Sequence, residues 1–562
     1  MPEEIRYSIP ITDTSSTKNE ARNDPPQEEE TEPLHPDHVD HLSAGMIKLY
    51  GVWSVALLAT FMAGYGVASM TAINPMPTFQ NYFKFEDVGV STGLVFSMWP
   101  IAACGLFWLG PMIADRLGRR GGMLISSLVY ILGTSLMAFS KNFGMLLAGR
   151  FLLGAAVGLM QPAAPPYVVE ISPPLHRGFL TGKFSQASTH RIDVDANFYQ
   201  HQKDCSTVLG NAVATIVCIL TERIRSDWSW RLPLIIQLIC PTIMASTVSF
   251  LPESPRWLYA HGKSGKAKEV LTKFHGNGVC TPSVAKELDQ ITLSLSQSPK
   301  QMFDYRTLAN TKGKAYRLML ALIMGAAGQL SGNTLMIFAP SLYKQVGMTS
   351  VRQQLIMTLI PTLIGLLFAI FGTWCTDQLG RRPMLTFGTF LCALFLALAM
   401  ACSVISLHGN TTISVSDYKN AAAKSTIAFL ILFYATYAWA YIPLVAVYPP
   451  EVLSMEQRST GMGLMVLTLN LASVLGQLTT PIALQKIGWW SYLPWVCWDL
   501  METGIWYFLA VETKGRTLEE LDVIFDAPNP VKASLLVAVK NDKEQRTEES
   551  HAAVVVNGRD HE

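Results

Sequence analysis

Apolar runs long enough to cross a bilayer, separated by short polar stretches, fill the chain from about residue 48 onward. A helix needs about 20 apolar residues to span the hydrocarbon, where only closed backbone hydrogen bonding survives. By that measure, spans fall near 48–70, 91–113, 122–140, 145–167, 205–222 and 232–252. A long polar stretch follows, then six more spans near 316–339, 353–375, 384–407, 425–448, 460–482 and 490–510. The pattern predicts an all-α membrane protein with twelve transmembrane helices in two pseudo-symmetric six-helix bundles. The predicted divisions are a disordered N-terminal tail (1–44), a first bundle (45–252), a central loop (253–315), a second bundle (316–525) and a C-terminal tail (526–562).

Charge sets the orientation. Lysine and arginine collect on the cytosolic side of short loops, and every second loop here is basic. Arg116, Arg119 and Arg120 follow span 2, Arg177 follows span 4, Arg381 and Arg382 follow span 8, and Arg458 follows span 10. Both termini and the central loop are therefore expected in the cytosol of a multi-pass protein, with the plasma membrane as the expected location. Asn410 of Asn410-Thr-Thr412 then lies outside, as an N-glycosylation acceptor.

Composition agrees: 50% of residues are hydrophobic and 15% charged. A net charge of +1 gives no basic excess for nucleic acid. The nine cysteines are scattered singly, without metal-ligand spacing. No nucleophile–base pair, metal cluster or phosphate loop stands in a recognisable context, so an enzyme, a metal and a cofactor are not expected. The expected partners are a small solute and the lipid bilayer, and a monomer is expected.

The halves share their punctuation. Asp115-Arg-Leu-Gly-Arg-Arg120 matches Asp377-Gln-Leu-Gly-Arg-Arg382, and Glu170 stands seven residues before Arg177 as Glu451 stands before Arg458. Glu253 and Arg256 close span 6 as Glu512 and Arg516 close span 12. Three matched pairs in register indicate duplication. The glycines permit tight turns, and the acids and arginines can form charge-assisted pairs between helix ends. Such pairs would lock the cytosolic side when the protein faces outward and break when it faces inward, which is the gate of a carrier.

These segments, with PESPRWL, QLSGN, YPPEVLSMEQR and VETKGRTLEEL, resemble the sugar porter family of the major facilitator superfamily over residues 45–525. The finer texture, in GYGVASMTAINPMP and PIALQKIGWWSY, is similar to fungal lactose-permease-like and hexose-transporter members. The resemblance implies the major facilitator fold and alternating exposure of a central site. It implies a hexose or small oligosaccharide as solute. An exporter of a fungal secondary metabolite and a non-transporting nutrient sensor stay open as alternatives.

Comparing the repeats also exposes a mismatch. Glu170 and Glu253 are 83 residues apart, whereas Glu451 and Glu512 are 61 apart. The surplus falls on 183–204, whose Arg191, Asp193, Asp195 and Lys203 would each cost roughly 2.5–3.5 kcal/mol in lipid. This candidate insertion is either an extended cytosolic loop or a retained intron, leaving a short span 5 from Cys205 to Glu222.

Polar side chains within spans mark the solute site. Gln329 and Asn333 share a face of span 7, and Asn470 and Gln477 share one in span 11. Amides read hydroxyls because both groups donate and accept. Tyr434, Tyr437, Trp439 and Tyr441 of span 10 offer faces for a sugar ring. The resemblance points to Gln329 as substrate-binding, and Thr334 occupies the slot where the family's commoner pattern has the asparagine. Proton-coupled sugar porters pair an aspartate of span 1 with an arginine of span 4. Here Arg150 matches that arginine, but Gly64-Tyr65-Gly66 lacks the acid. The resemblance therefore implies facilitated diffusion, or coupling to protons through some other group.

Overall fold

The computed structural model describes residues 44–172, 193–275, 278–297, 307–408 and 415–535. Arg177, Asn410 and residues 183–192 lie outside the described residues.

The first six spanning helices are α1 (Ala44–Ile73), α2 (Val90–Gly105 with Leu109–Arg116), α3 (Gly118–Ala138), α4 (Phe143–Met160 with Ala164–Ile171), α5 (Asp193–Thr221) and α6 (Trp228–Phe250). The second six are α7 (Lys312–Leu330 with Asn333–Ile337), α8 (Val351–Leu379), α9 (Arg381–His408), α10 (Val415–Val452), α11 (Arg458–Ile487) and α12 (Leu493–Leu509). Apart from the early starts of α5 and α10, each begins and ends within about five residues of an apolar run read from the sequence. The two parts of α2 meet at a 53° bend.

Helix α5 departs from expectation at its start. Its apolar part is Ser206–Thr221, yet the helix begins at Asp193. The polar residues from Asp193 to Asp204 thus prolong a helix instead of forming a loop, because adding a residue to an existing helix costs far less than nucleating one.

Packing repeats between the halves. In the first, α1 lies on α5, α2 on α4, α3 on α4, and α3 on α6; in the second, α7 lies on α11, α8 on α10, α9 on α10, and α9 on α12. The halves meet through α2 against α11 and through its symmetry mate, α5 against α8. Small residues permit the close approaches. A Cβ on Gly93 of α2 would stand 3.0 Å from the Leu478 carbonyl of α11.

The central loop folds onto the first half. Its helices Pro255–Ala260, Ser264–His275 and Pro282–Gln297 share a small core of Leu271, Val284 and Ile291. Trp257 donates its indole N–H to the Asp115 carbonyl at 2.7 Å. His275 lies between Glu287, at 2.8 Å, and the Ile171 carbonyl that ends α4, at 3.0 Å. After α12, the helix Leu518–Asp526 starts on a capping box of Thr517 and Glu520 and docks on α7 through Arg317 and Asp522, 2.6 Å apart. The chain beyond Asp526 also returns to the second half, with Ser534 fully buried and its hydroxyl 3.4 Å from the Glu512 amide.

Candidate functional site

At the loop end of each half, one arginine gathers three acids. Arg119 meets Glu170 through two nitrogens, at 3.0 and 3.2 Å, and Asp115 at 3.0 Å. Arg381 meets Glu451 at 2.8 and 3.1 Å and Asp377 at 3.5 Å. The bidentate geometry suits the planar guanidinium. The third acid sits on a helix start. Glu253 accepts the Arg119 amide at 2.9 Å, and Glu512 accepts the Arg381 and Arg382 amides, each at 3.0 Å. A carboxylate there satisfies orphan N–H groups and the positive end of the helix dipole.

The preceding glycines are required twice over. Gly118 and Gly380 have φ of +86° and +91°, and a Cβ on either would run into the Glu253 or Glu512 carboxylate. Burial raises the Glu253 carboxyl above its ordinary range, opposed by the amides of Ser254, Arg120 and Arg119 that point at it. Ser254 and Thr513 complete the match, donating to Glu170 at 2.5 Å and to Glu451 at 2.6 Å.

The remaining residues of the predicted gate serve differently. Arg120 donates to the Ser249 carbonyl and Arg382 to that of Tyr507 at 2.7 Å, tying α3 to α6 and α9 to α12. Arg116 and Arg256 are exposed, Arg458 is half-buried, and Arg516 reaches the Ser534 carbonyl at 3.5 Å. The pairs of Arg119 and Arg381 thus join helices of one half. Polar contacts between halves gather at the opposite end, where Lys344 pairs with Asp87 at 3.1 Å and Gln485 donates to Glu86 at 3.0 Å. Phe96 and Phe338 also meet between the halves, with ring centroids 4.8 Å apart.

In the second half, α7 breaks inside the QLSGN motif. Gly332 has φ +80°, and a Cβ on it would stand 2.5 Å from the Phe433 ring. The break brings two of the expected solute residues together. The Gln329 Oε1 atom accepts from Ser473 of α11 at 2.9 Å and from Asn333 at 3.4 Å. Asn470 and Gln477 flank Ser473 on the same face of α11; Asn470 donates to the Val466 carbonyl of its own helix at 2.8 Å. Thr334 is buried against Gly476, its hydroxyl without a partner.

The four aromatics of α10 do not share a face. Tyr434, Tyr437 and Tyr441 form a ladder, with successive rings 6.3 and 5.3 Å apart, while Trp439, two residues from both Tyr437 and Tyr441, turns elsewhere and is half-buried. Tyr441 is fully buried and bonds Thr389 and Glu502, so it offers no open ring face to a solute.

Glu502 is the residue sequence reasoning missed, with Asp499 one turn before it. Both are buried in the middle of α12. The available signal was two acids three apart in an otherwise apolar run, each costly in a membrane. In the first half, Arg150 is buried among the Val95 and Gly66 carbonyls, at 3.3 and 3.1 Å, and the rings of Phe96 and Trp99. A Cβ on Gly66 would stand 2.7 Å from the Tyr130 hydroxyl and 2.9 Å from the Trp99 ring, so the position expected to carry an acid is already filled.

Twelve membrane helices in two symmetry-related halves, each tied at one end by the same arginine cluster, define a membrane transporter. The chain belongs to the sugar (and other) transporter family, whose model matches residues 52–192 and 198–525. It is 26% identical to the high-affinity glucose transporter of Kluyveromyces lactis, covering 84% of each chain. It is 26% identical to the MFS-type transporter oryC of Aspergillus oryzae, over 73% of this chain and 72% of that one. Its fold resembles the xylose transporter XylE from E. coli in the inward open conformation, with a TM-score of 0.65 at 19% identity, covering 85% of this chain and 99% of that one.

Proposed function

We propose that the protein carries a hexose or a small oligosaccharide across the plasma membrane by alternating access, with both termini in the cytosol. The observation that carries this reading is the α7 break, where Gln329, Asn333 and Ser473 present amide and hydroxyl groups together. Such groups match the paired donor and acceptor of a sugar hydroxyl. Glucose transport by relatives of similar length supports the choice of solute.

The arginine clusters hold each half rigid, and the halves rock against each other about the α2–α11 and α5–α8 seams. The contacts of Lys344, Asp87, Gln485 and Glu86 close the opposite end, which is the outer one in the expected topology. Arg119 and Arg381, expected in pairs between helix ends that lock the cytosolic side, act as braces within each half. Arg150 lies between carbonyls and rings and meets no acid among the described residues, so the α1–α4 pair of proton-coupled sugar porters does not couple transport here.

The test is uptake of a panel of sugars in a host lacking its own hexose carriers. Glucose uptake that falls strongly in Gln329→Ala is expected. Uptake of none of the sugars by a well-expressed protein would overturn the reading. The same host would show the alternative left open by the sequence, export of a secondary metabolite, as efflux.

A further inference from the structure

Four donors converge on Glu502. The Ser331 hydroxyl reaches Oε2 at 2.6 Å and the Trp498 indole reaches it at 2.8 Å. The Tyr441 hydroxyl and the Trp506 indole, at 3.0 Å, reach Oε1. Indole N–H groups can only donate, so each oxygen is set up as an acceptor twice over, the pattern of a carboxylate.

Asp499, three residues away on the same face, is the reverse case. Both of its oxygens are sealed from solvent, and among the described residues neither has a hydrogen-bond partner. A second bare charge beside Glu502 in a dry site would be uncompensated, so Asp499 is the natural holder of a proton. The ionisable groups facing the two acids are Cys392 of α9 and Tyr437 and Tyr441 of α10; α7 contributes the neutral Ser331. Neither acid enters an ion pair among the described residues.

Ser331 stands at the α7 break, two residues from both Gln329 and Asn333. We propose that Glu502 and Asp499 form a proton-binding site that links the α7 break to a transmembrane proton gradient. This inference rests on the sugar-carrier reading. When α7 closes on a sugar, Ser331 leaves Glu502 with three donors. Glu502 then takes one proton from water and donates its new O–H to the Tyr441 oxygen, while the Tyr441 hydroxyl turns to Thr389, 2.6 Å away. Return of Ser331 expels the same proton on the other side. One O–H bond forms and one breaks in each cycle, Asp499 stays neutral throughout, and no electron moves.

The test uses the full-length protein in liposomes. At one proton per sugar, an inside-alkaline gradient of one pH unit should drive about tenfold accumulation of glucose. In Glu502→Gln, gradient-driven accumulation relative to glucose counterflow should fall about tenfold, which is 1.36 kcal/mol for each pH unit. Equilibration without accumulation in the wild type, or equal accumulation ratios in the two proteins, would overturn the proposal. Infrared spectra give a second readout that needs no sugar transport. The wild type's absolute spectrum should show a protonated carboxylic acid band that Asp499→Asn removes, and its pH-difference spectrum a titrating carboxylate that Glu502→Gln removes. If neither variant alters the spectrum, the acids bind no proton in exchange with the medium and the proposal fails. Absence of counterflow with every sugar, beside the expected spectra, would remove the sugar reading and leave the proton site standing.

Discussion

The two halves agree closely at one end and invert at mid-membrane. At the loop end, Arg119, Glu170 and Glu253 repeat as Arg381, Glu451 and Glu512, even to the left-handed glycine before each arginine. In the middle, the first half buries a cation among carbonyls and rings, and the second buries two acids, Glu502 among neutral donors and Asp499 away from any donor among the described residues. The difference teaches that duplication has kept the braces while the functional interior has diverged. A brace must satisfy fixed helix ends in both copies, whereas the interior needs only one solute site and one site for charge.

Arg381→Ala should give the largest effect. It strands the half-buried Glu451 and leaves the α9 brace open, at a cost of about 3–5 kcal/mol, read as a lower melting temperature and lost uptake. Arg119→Ala should follow it closely if the halves are equivalent as braces. Gly66→Asp, which restores the acid beside Arg150, is expected to lower uptake several-fold and to restore no coupling, because Tyr130 and Trp99 fill the space; accumulation in a pH gradient measures it.

Gly380→Ala should cost about 1–3 kcal/mol from its positive φ, and Gly118→Ala a similar amount, both by thermal unfolding. Gln329→Ala should raise the KM for glucose about tenfold, the worth of one or two hydrogen bonds, while leaving the melting temperature near wild type. Lys344→Ala should matter least. Its pair with Asp87 is half-exposed and worth under about 1 kcal/mol, so the opening equilibrium at that end should shift only a few-fold in a labelling assay.

Legibility in the sequence followed the range of the interaction. Apolar runs located the spans because lipid imposes their length, and the paired acids and arginines were visible because each cluster is a repeated local motif. Gln329 and Asn333 could be placed on one face from helical spacing, although it is the break at Gly332 that sets their amides 3.4 Å apart. Tyr441 could not be assigned the same way, since its role depends on Glu502 sixty-one residues away. Asp499 and Glu502 were concealed by the tryptophans and methionine around them, which keep the run apolar on average. Asp193 to Asp204 read as loop because composition reports solvation, whereas helicity there propagates from the apolar residues that follow.

Helix α5 has one more consequence. Its apolar stretch, Ser206–Thr221, rises only about 24 Å at 1.5 Å per residue, against a hydrocarbon thickness of about 30 Å. The surrounding lipid therefore has to thin around α5. A protein with one short flank is most at ease in a thin bilayer. The fit of a single helix to its membrane thus becomes a term in which bilayer the protein prefers.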